Sequence, residues 1–164
     1  MTNKILDRNA LKKEIDRLKH AGKRIVSTSG CFDILHSGHV EYLEEAKMRG
    51  DILVVMLNSD SSVRQLKGKS RPIIAQTDRA IVIAGLEAVD YVCIFDEITP
   101  CALIGEIQPD IVIKGGDYQG THIPEMDAAA AYGGRVDYVL LVEGHSTTNI
   151  VKKIEELCKE CAEK

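Results

Sequence analysis

The stretch KRIVSTSGCFDILHSGHVEYLEEAKMRGDILVVML, residues 23–57, decides the fold of this 164-residue chain. Lys23 to Ser29, centred on Ile25 and Val26, predicts a strand. Gly30 to His36 predicts a turn. From about Gly38 to Arg49 the residues Val40, Leu43 and Ala46 recur at helical spacing, and Gly50 is the stop. Asp51 to Leu57 is a continuous apolar run, the pattern of a strand covered on both faces.

The alternation continues in both directions. Upstream, Leu11, Ile15 and Leu18 share one face of a helix over 9–20 that Gly22 closes. Downstream, Asn58 to Arg71 is polar, holds Arg64, Lys67, Lys69 and Arg71, and reads mostly as loop with one short helical turn at most. Thr77 can cap a helix to about Ala88. That helix is apolar almost all round (Ala80, Ile81, Val82, Ile83, Ala84, Leu86), which predicts deep packing. Tyr91 to Phe95 is a strand, Thr99-Pro100 opens a helix that Pro109 ends, and Ile111 to Ile113 is a strand. After the turn Lys114-Gly115-Gly116-Asp117 come a short helix from Pro124 to Tyr132 and a last strand from Val136 to Val142. Ser146 or Thr147 caps a final helix whose apolar stripe is Ile150, Val151, Ile154, Leu157, Cys158 and Cys161.

Five such alternations imply an α/β fold: a Rossmann-like, doubly wound, five-stranded parallel sheet with helices on both faces. A single domain over 1–164 is expected, with an N-terminal helix in 1–22 and a C-terminal helix in 146–164 packed on it. Ligands should gather beyond the carboxyl ends of the strands, where the chain order switches direction. That edge collects four unusual polar segments: 29–39, 58–71, 114–118 and 143–149.

Composition narrows the function. A net charge of −4 lacks the basic footprint of a nucleic-acid binder, and seven Phe and Tyr with no Trp supply few stacking platforms. No apolar run is long enough for a membrane span, and Met1 to Lys23 lacks the apolar core of a secretion signal, so a cytoplasmic protein is expected. Five cysteines at irregular spacing read as free thiols, and Cys158 and Cys161 continue a helix stripe rather than open a redox motif.

His36 and His39 flank a predicted helix start, where free N–H groups and a partial positive charge favour phosphate. Gly38 lets a phosphate approach the backbone. No third or fourth ligand stands at zinc spacing. Gly68-Lys69-Ser70 looks like the tail of a P-loop, but Val63 occupies the position of its first glycine, and no G-x-G-x-x-G follows the first strand. Lys67, Lys69 and Arg71 could meet the β- and γ-phosphates or a leaving pyrophosphate. Arg79 could point back into the site, or pair with Asp78 or Glu87. Ser146-Thr147-Thr148 offers a second anion-friendly helix start. No catalytic triad is evident, which suits a reaction whose acceptor is already an anion.

Gly30, Phe32, Asp33, His36, Gly38 and His39 complete the pattern G-x-F-D-x-x-H-x-G-H, and Glu143-Gly144-His145-Ser146-Thr147-Thr148-Asn149 supplies a Ser/Thr-rich helix start near the C-terminus. With both, the chain resembles the cytidylyltransferase-like nucleotidyltransferase superfamily. Leu57-Asn58-Ser59-Asp60, Leu66-Lys67-Gly68, Ser70-Arg71-Pro72 and Lys114-Gly115-Gly116-Asp117-Tyr118 make it similar to the D-glycero-β-D-manno-heptose 1-phosphate adenylyltransferase part of bacterial ADP-heptose synthases. His145 stands where typical members carry Cys. The resemblance implies transfer of AMP from ATP to heptose 1-phosphate, giving ADP-heptose and pyrophosphate. Mg²⁺ would be held mainly through phosphates, with Asp33 a candidate contact. It implies catalytic roles for His36, His39, Lys69 and Arg71. Nucleotide contacts would come from Gly30, Cys31, Phe32, Asp33, Gly38, Lys114, Gly116, Asp117, Ser146, Thr147 and Thr148, and substrate contacts from Asn58, Asp60, Lys67 and Arg79. Relatives are commonly dimeric, so a homodimer is expected; in many members this domain is fused to a sugar kinase, and here it stands alone, so a separate heptose kinase is expected to supply the substrate. The alternatives are a cytidylyltransferase acting on glycerol 3-phosphate or a similar phosphoalcohol, and a non-catalytic nucleotide-binding sensor.

Overall fold

A computed structural model describes residues 3–140 and 146–162. Five strands, β1 (Ile25–Gly30), β2 (Ile52–Asn58), β3 (Tyr91–Phe95), β4 (Ile111–Gly115) and β5 (Arg135–Val139), form one parallel sheet in the order β3-β2-β1-β4-β5. Seven helices surround it: α1 (Arg8–His20), α2 (Ser37–Lys47), α3 (Asp60–Lys67), α4 (Gln76–Ala84), α5 (Cys101–Ile107), α6 (Pro124–Ala130) and α7 (Thr147–Ala162). Successive strand residues feed opposite cores, as a pleated strand must. Leu53, Val55 and Leu57 of β2 pack with α2 and α4, whereas Val54 and Met56 pack with α1 and α5. Both faces of the sheet are thus covered, and the order reverses between β1 and β4.

Four expectations change. The segment after β2 is a two-turn helix, α3, because Ser59 accepts from the Ser62 N–H as its cap and Val63 anchors it in the interior. Asp60 in its first turn and Arg64 and Lys67 in its last complement the helix dipole. Next, α4 begins after Ala75 without a side-chain cap and stops at Ala84. It is not deeply packed: Ala80, Ile83 and Ala84 face the sheet, while Ile81 and Val82 keep 46% and 48% of their surface exposed. A helix lying on one face of a sheet can bury only one side of itself. In α2, Tyr42 rather than Val40 is buried beside Leu43 and Ala46. Its hydroxyl lies 2.6 Å from Thr28 Oγ1 and 3.2 Å from the Ile113 carbonyl, which satisfies the one polar atom that burial would otherwise strand. Finally, the apolar stripe of α7 is half-buried at Ile150 and Val151, and Ile154, Leu157, Cys158 and Cys161 are exposed. The predicted end of the last strand at Val142, and Glu143-Gly144-His145, lie outside the described residues.

Candidate active site

The turn after β1 is built around one carboxylate. Phe32 and Ile34 both adopt left-handed backbone, with φ of 45° and 52°, an arrangement that costs non-glycine residues on the order of 1–2 kcal/mol each. Asp33 between them is buried and offsets that strain. Its carboxylate accepts from Ile73 N (2.8 Å), Ile74 N (2.9 Å) and Arg71 Nε (2.6 Å). Burial alone would raise its pKa, but these two backbone N–H groups and the Arg71 guanidinium outweigh it and hold the carboxyl below its ordinary range. Its backbone carbonyl accepts from Thr147 Oγ1 at 2.6 Å, which ties the start of α7 to the same turn. Both carboxylate oxygens thus hold the loop that follows α3, while Asp33 also lines the larger of the two chambers at this edge of the sheet. Gly30 leaves room for the Phe32 ring, which would stand 3.0 Å from a Cβ there and have to shift slightly.

His36 occupies the position before α2 and His39 its first turn. Their rings stack at 3.9 Å between centroids and 23° between planes, and Phe32 packs against His39 at 5.3 Å. Burial first, then the neighbouring His36, pushes the His39 imidazole from 6.5 down to about 4. The ring is thus neutral at pH 7. Its Nδ1 is buried without a hydrogen-bond partner among the described residues. A lone pair is cheaper to leave unpaired than an N–H, so the proton belongs on Nε2, where it can be donated to a ligand.

This depressed pKa carries a stability consequence. The unfolded chain takes up a proton below about pH 6.5, whereas the folded ring resists it until about 4. Folding stability therefore falls as pH drops through that window. Solvent on the cavity side screens the effect to roughly 1–2 kcal/mol. Urea titrations at pH 7 and pH 4.5 should show this loss in the wild type and a smaller one in His39→Gln; equal slopes would disprove the assignment.

Two adjoining chambers of about 490 and 300 Å³ open at this edge of the sheet. Ser29, Gly30, Cys31, Phe32, His39, Lys114, Tyr118 and Thr147 line both. The smaller adds His36, Gly38, Gly115, Asp117 and Ser146, and the larger adds Asp33, Asn58, Lys67, Arg71 and Thr148. The three hydroxyls at the start of α7 divide the work. Ser146 caps the helix by accepting from Asn149 N (3.1 Å), Thr147 holds the β1 turn, and Thr148 faces the larger chamber. Burial raises the Cys31 thiol, so it stands in the wall as a neutral group.

Several expected contacts are absent from the chamber walls. Lys69 is exposed and lines neither chamber. Arg79 is 2% exposed and wholly committed: to Ile74 O (2.9 Å), Cys31 O (2.5 Å), Asn58 O (2.9 Å) and Asp60 Oδ1 (2.7 Å). It pairs with neither Asp78 nor Glu87, and its partner Asp60 lines neither chamber. Gly116 packs against Leu140 (3.3 Å from a built Cβ), and its neighbour Gly115 takes the place in the wall. Arg71 spends Nε on Asp33, leaving its Nη atoms without a hydrogen bond among the described residues. Lys67 lines the larger chamber and makes no ion pair among them. Glu125, Tyr118, Thr99 and Ile98 also line that chamber and were not singled out from sequence. Glu125 follows Pro124 like any acidic residue in a first helical turn, so no local signal marks it. Among the described residues no group of three or more His, Cys, Asp or Glu could hold a metal ion, and no helix is long and apolar enough to cross a membrane.

With this geometry in hand, comparison with known proteins is informative. The family described as cytidylyltransferase-like matches residues 27–162. The chain is 51% identical over 152 residues to the bifunctional protein HldE of Wolinella succinogenes, covering 93% of this chain and 31% of that protein. It is 54% identical over 140 residues to HldE of Aliarcobacter butzleri, covering 85% and 29%. The chain thus spans about a third of the length of the curated relatives it matches. The crystal structure of a lipopolysaccharide core biosynthesis protein from Thermoplasma volcanium superposes with a TM-score of 0.62 at 32% identity, over 76% of this chain and 100% of that one. The histidine pair at the start of α2, the α7 hydroxyls fastened to the same turn, and the family match over most of the sequence place this chain in the cytidylyltransferase-like family of nucleotidyltransferases.

Proposed function

We propose that the chain, acting as one nucleotidyltransferase domain, moves AMP from ATP to D-glycero-D-manno-heptose 1-phosphate, giving ADP-heptose and pyrophosphate. One observation carries this reading. Thr147 fastens the start of α7 to the β1 turn at Asp33, so that it faces one cavity with the start of α2 and the His36–His39 pair. Helix N-termini and neutral imidazoles are suited to a phosphate chain.

The reaction needs no base. An oxygen of the acceptor phosphate, already anionic at pH 7, attacks the α-phosphorus in line; the new P–O bond forms as the bond to pyrophosphate breaks. Charge grows on the α-phosphoryl oxygens and on the leaving group. His39 Nε2–H and the α2 N–H groups stabilise the first, and Lys67 with the Arg71 Nη atoms the second. His39 and Arg71 are held in place before substrate arrives, by the stack on His36 and Phe32 and by Asp33, and such preorganisation is a source of rate gain. The carboxylates near the phosphates fit a cation only loosely, since Asp33 is occupied and Asp117 is single and exposed. Mg²⁺ bound through ATP would supply charge neutralisation of the phosphates.

A heptose kinase activity would make the acceptor. The apolar surface at Ile73, Ile74, Ile81 and Val82, 37–54% exposed, supports a homodimer. Sedimentation velocity tests this, and a monomer mass overturns it. The activity itself is tested by pyrophosphate release with ATP or CTP against heptose 1-phosphate, mannose 1-phosphate and glycerol 3-phosphate. ATP with heptose 1-phosphate should give the highest kcat/KM. A preference for CTP with glycerol 3-phosphate, or nucleotide binding with no pyrophosphate from any acceptor, would reject the reading.

A further inference from the structure

The larger chamber has a second polar feature, away from the histidines in sequence and opposite in charge. Glu125 is only 6% exposed, yet it lines the cavity from the first turn of α6. Its Oε1 accepts from Lys114 Nζ at 2.8 Å, and both side chains are largely buried. The same Nζ lies 4.8 Å from the centre of the Tyr118 ring, so the lysine is fixed from two sides. Oε2 makes no hydrogen bond among the described residues and is not sealed away from the cavity. Ile98, Pro100, Ile123 and Pro124 are apolar neighbours in the same chamber.

Burying a carboxylate costs stability, and a lysine offsets that only in part when one oxygen remains unpaired. An open carboxylate oxygen cannot serve a phosphate, which it repels. It accepts hydrogen bonds strongly, which suits hydroxyl donors. Apolar walls beside it suit the C–H faces of a sugar ring. Phosphates are drawn instead toward His39 and Lys67 in the same chamber. The charge pattern therefore orients an acceptor with its phosphate at one end and its hydroxyls at the other.

We infer that Glu125, positioned by Lys114, is the specificity-determining residue that reads the hydroxyl groups of the acceptor sugar. This inference rests on the proposed sugar-phosphate reaction. In Glu125→Ala the KM for heptose 1-phosphate should rise about 10- to 100-fold, the range for losing a charge-assisted hydrogen bond. The KM for ATP should stay within about twofold; an equal rise for ATP would assign this oxygen to the ribose hydroxyls of the nucleotide and overturn the inference. The preference for heptose 1-phosphate over glycerol 3-phosphate should shrink in parallel. A merely structural role would weaken all substrates together.

Loss of the carboxylate strands Lys114, so a second variant guards against misfolding. Lys114→Met with Glu125→Leu replaces the pair by apolar groups of similar size, an exchange that proteins commonly tolerate. Its melting temperature should hold while the acceptor KM rises as in the single variant. If the wild type turns over heptose 1-phosphate and both variants keep its KM within twofold, the inference fails and the reaction assignment stands. If the wild type releases pyrophosphate with no sugar phosphate, the reaction assignment fails and takes the inference with it.

Discussion

Replacing His39 by Ala should lower kcat by about two to three powers of ten, the usual loss when one preorganised transition-state donor is removed. The ring is neutral at pH 7 because burial and His36 hold its pKa to about 4. It therefore stabilises charge through a directed N–H and through the field of an incoming phosphate, with no standing positive charge of its own. The KM for ATP should change less than kcat, because the ground-state phosphates also meet the α2 and α7 N-termini. Those backbone donors remain in the variant. Pyrophosphate release under saturating substrates reads the effect, and circular dichroism checks that the fold is kept. His39→Gln, which retains an N–H but not the imidazole geometry, should recover only part of the loss. A folded His39→Ala enzyme with near wild-type kcat would remove the histidine pair from the reaction.

Arg79→Met should destabilise the protein by about 3–5 kcal/mol, the cost of breaking a buried charge network on one side. For a chain of this size that corresponds to a fall of roughly 6–20 °C in melting temperature. The reason is geometric. One guanidinium joins the β1 turn at Cys31 O, the end of β2 at Asn58 O, the start of α3 at Asp60 and the strand-free segment at Ile74 O. Methionine fills similar space but leaves three carbonyls and a carboxylate without their donor. Lysine offers a point charge where a planar fork is needed, so Arg79→Lys should recover only a minority of the loss. Because Ile74 N is also held by Asp33, the same change should loosen the loop carrying Arg71. Thermal denaturation measures it, and a shift under 2 °C would show that the network contributes little.

These two residues illustrate how far the amino-acid sequence alone could be read. The place of His39 in the cavity wall was legible because everything that defines it is local: a glycine two residues after the first histidine, a helix start, and a strand end before it. Arg79 was not legible. Its acceptors lie 5, 21, 48 and 19 residues away, at Ile74, Asn58, Cys31 and Asp60. No periodicity distinguishes a cation that serves substrate from one that holds the walls. The cluster of Lys67, Lys69 and Arg71 shows the same division. Of three similar cations within five residues, Lys67 and Arg71 line the larger chamber, Arg71 also holds Asp33, and Lys69 lines neither chamber.

Chain order and hydrophobic period by themselves determined the five strands, their parallel pairing and the edge on which the polar loops gather, since these depend on interactions within a few residues and on the handedness of short crossovers. Only the tertiary structure decided that Asp33 fastens α7 across 114 residues through Thr147, that Glu125 faces Lys114 in the larger chamber, and that half of α4 stays in solvent. Which side chains share a partner is settled when distant segments pack, and a buried polar group takes whichever donor or acceptor that packing brings within about 3 Å.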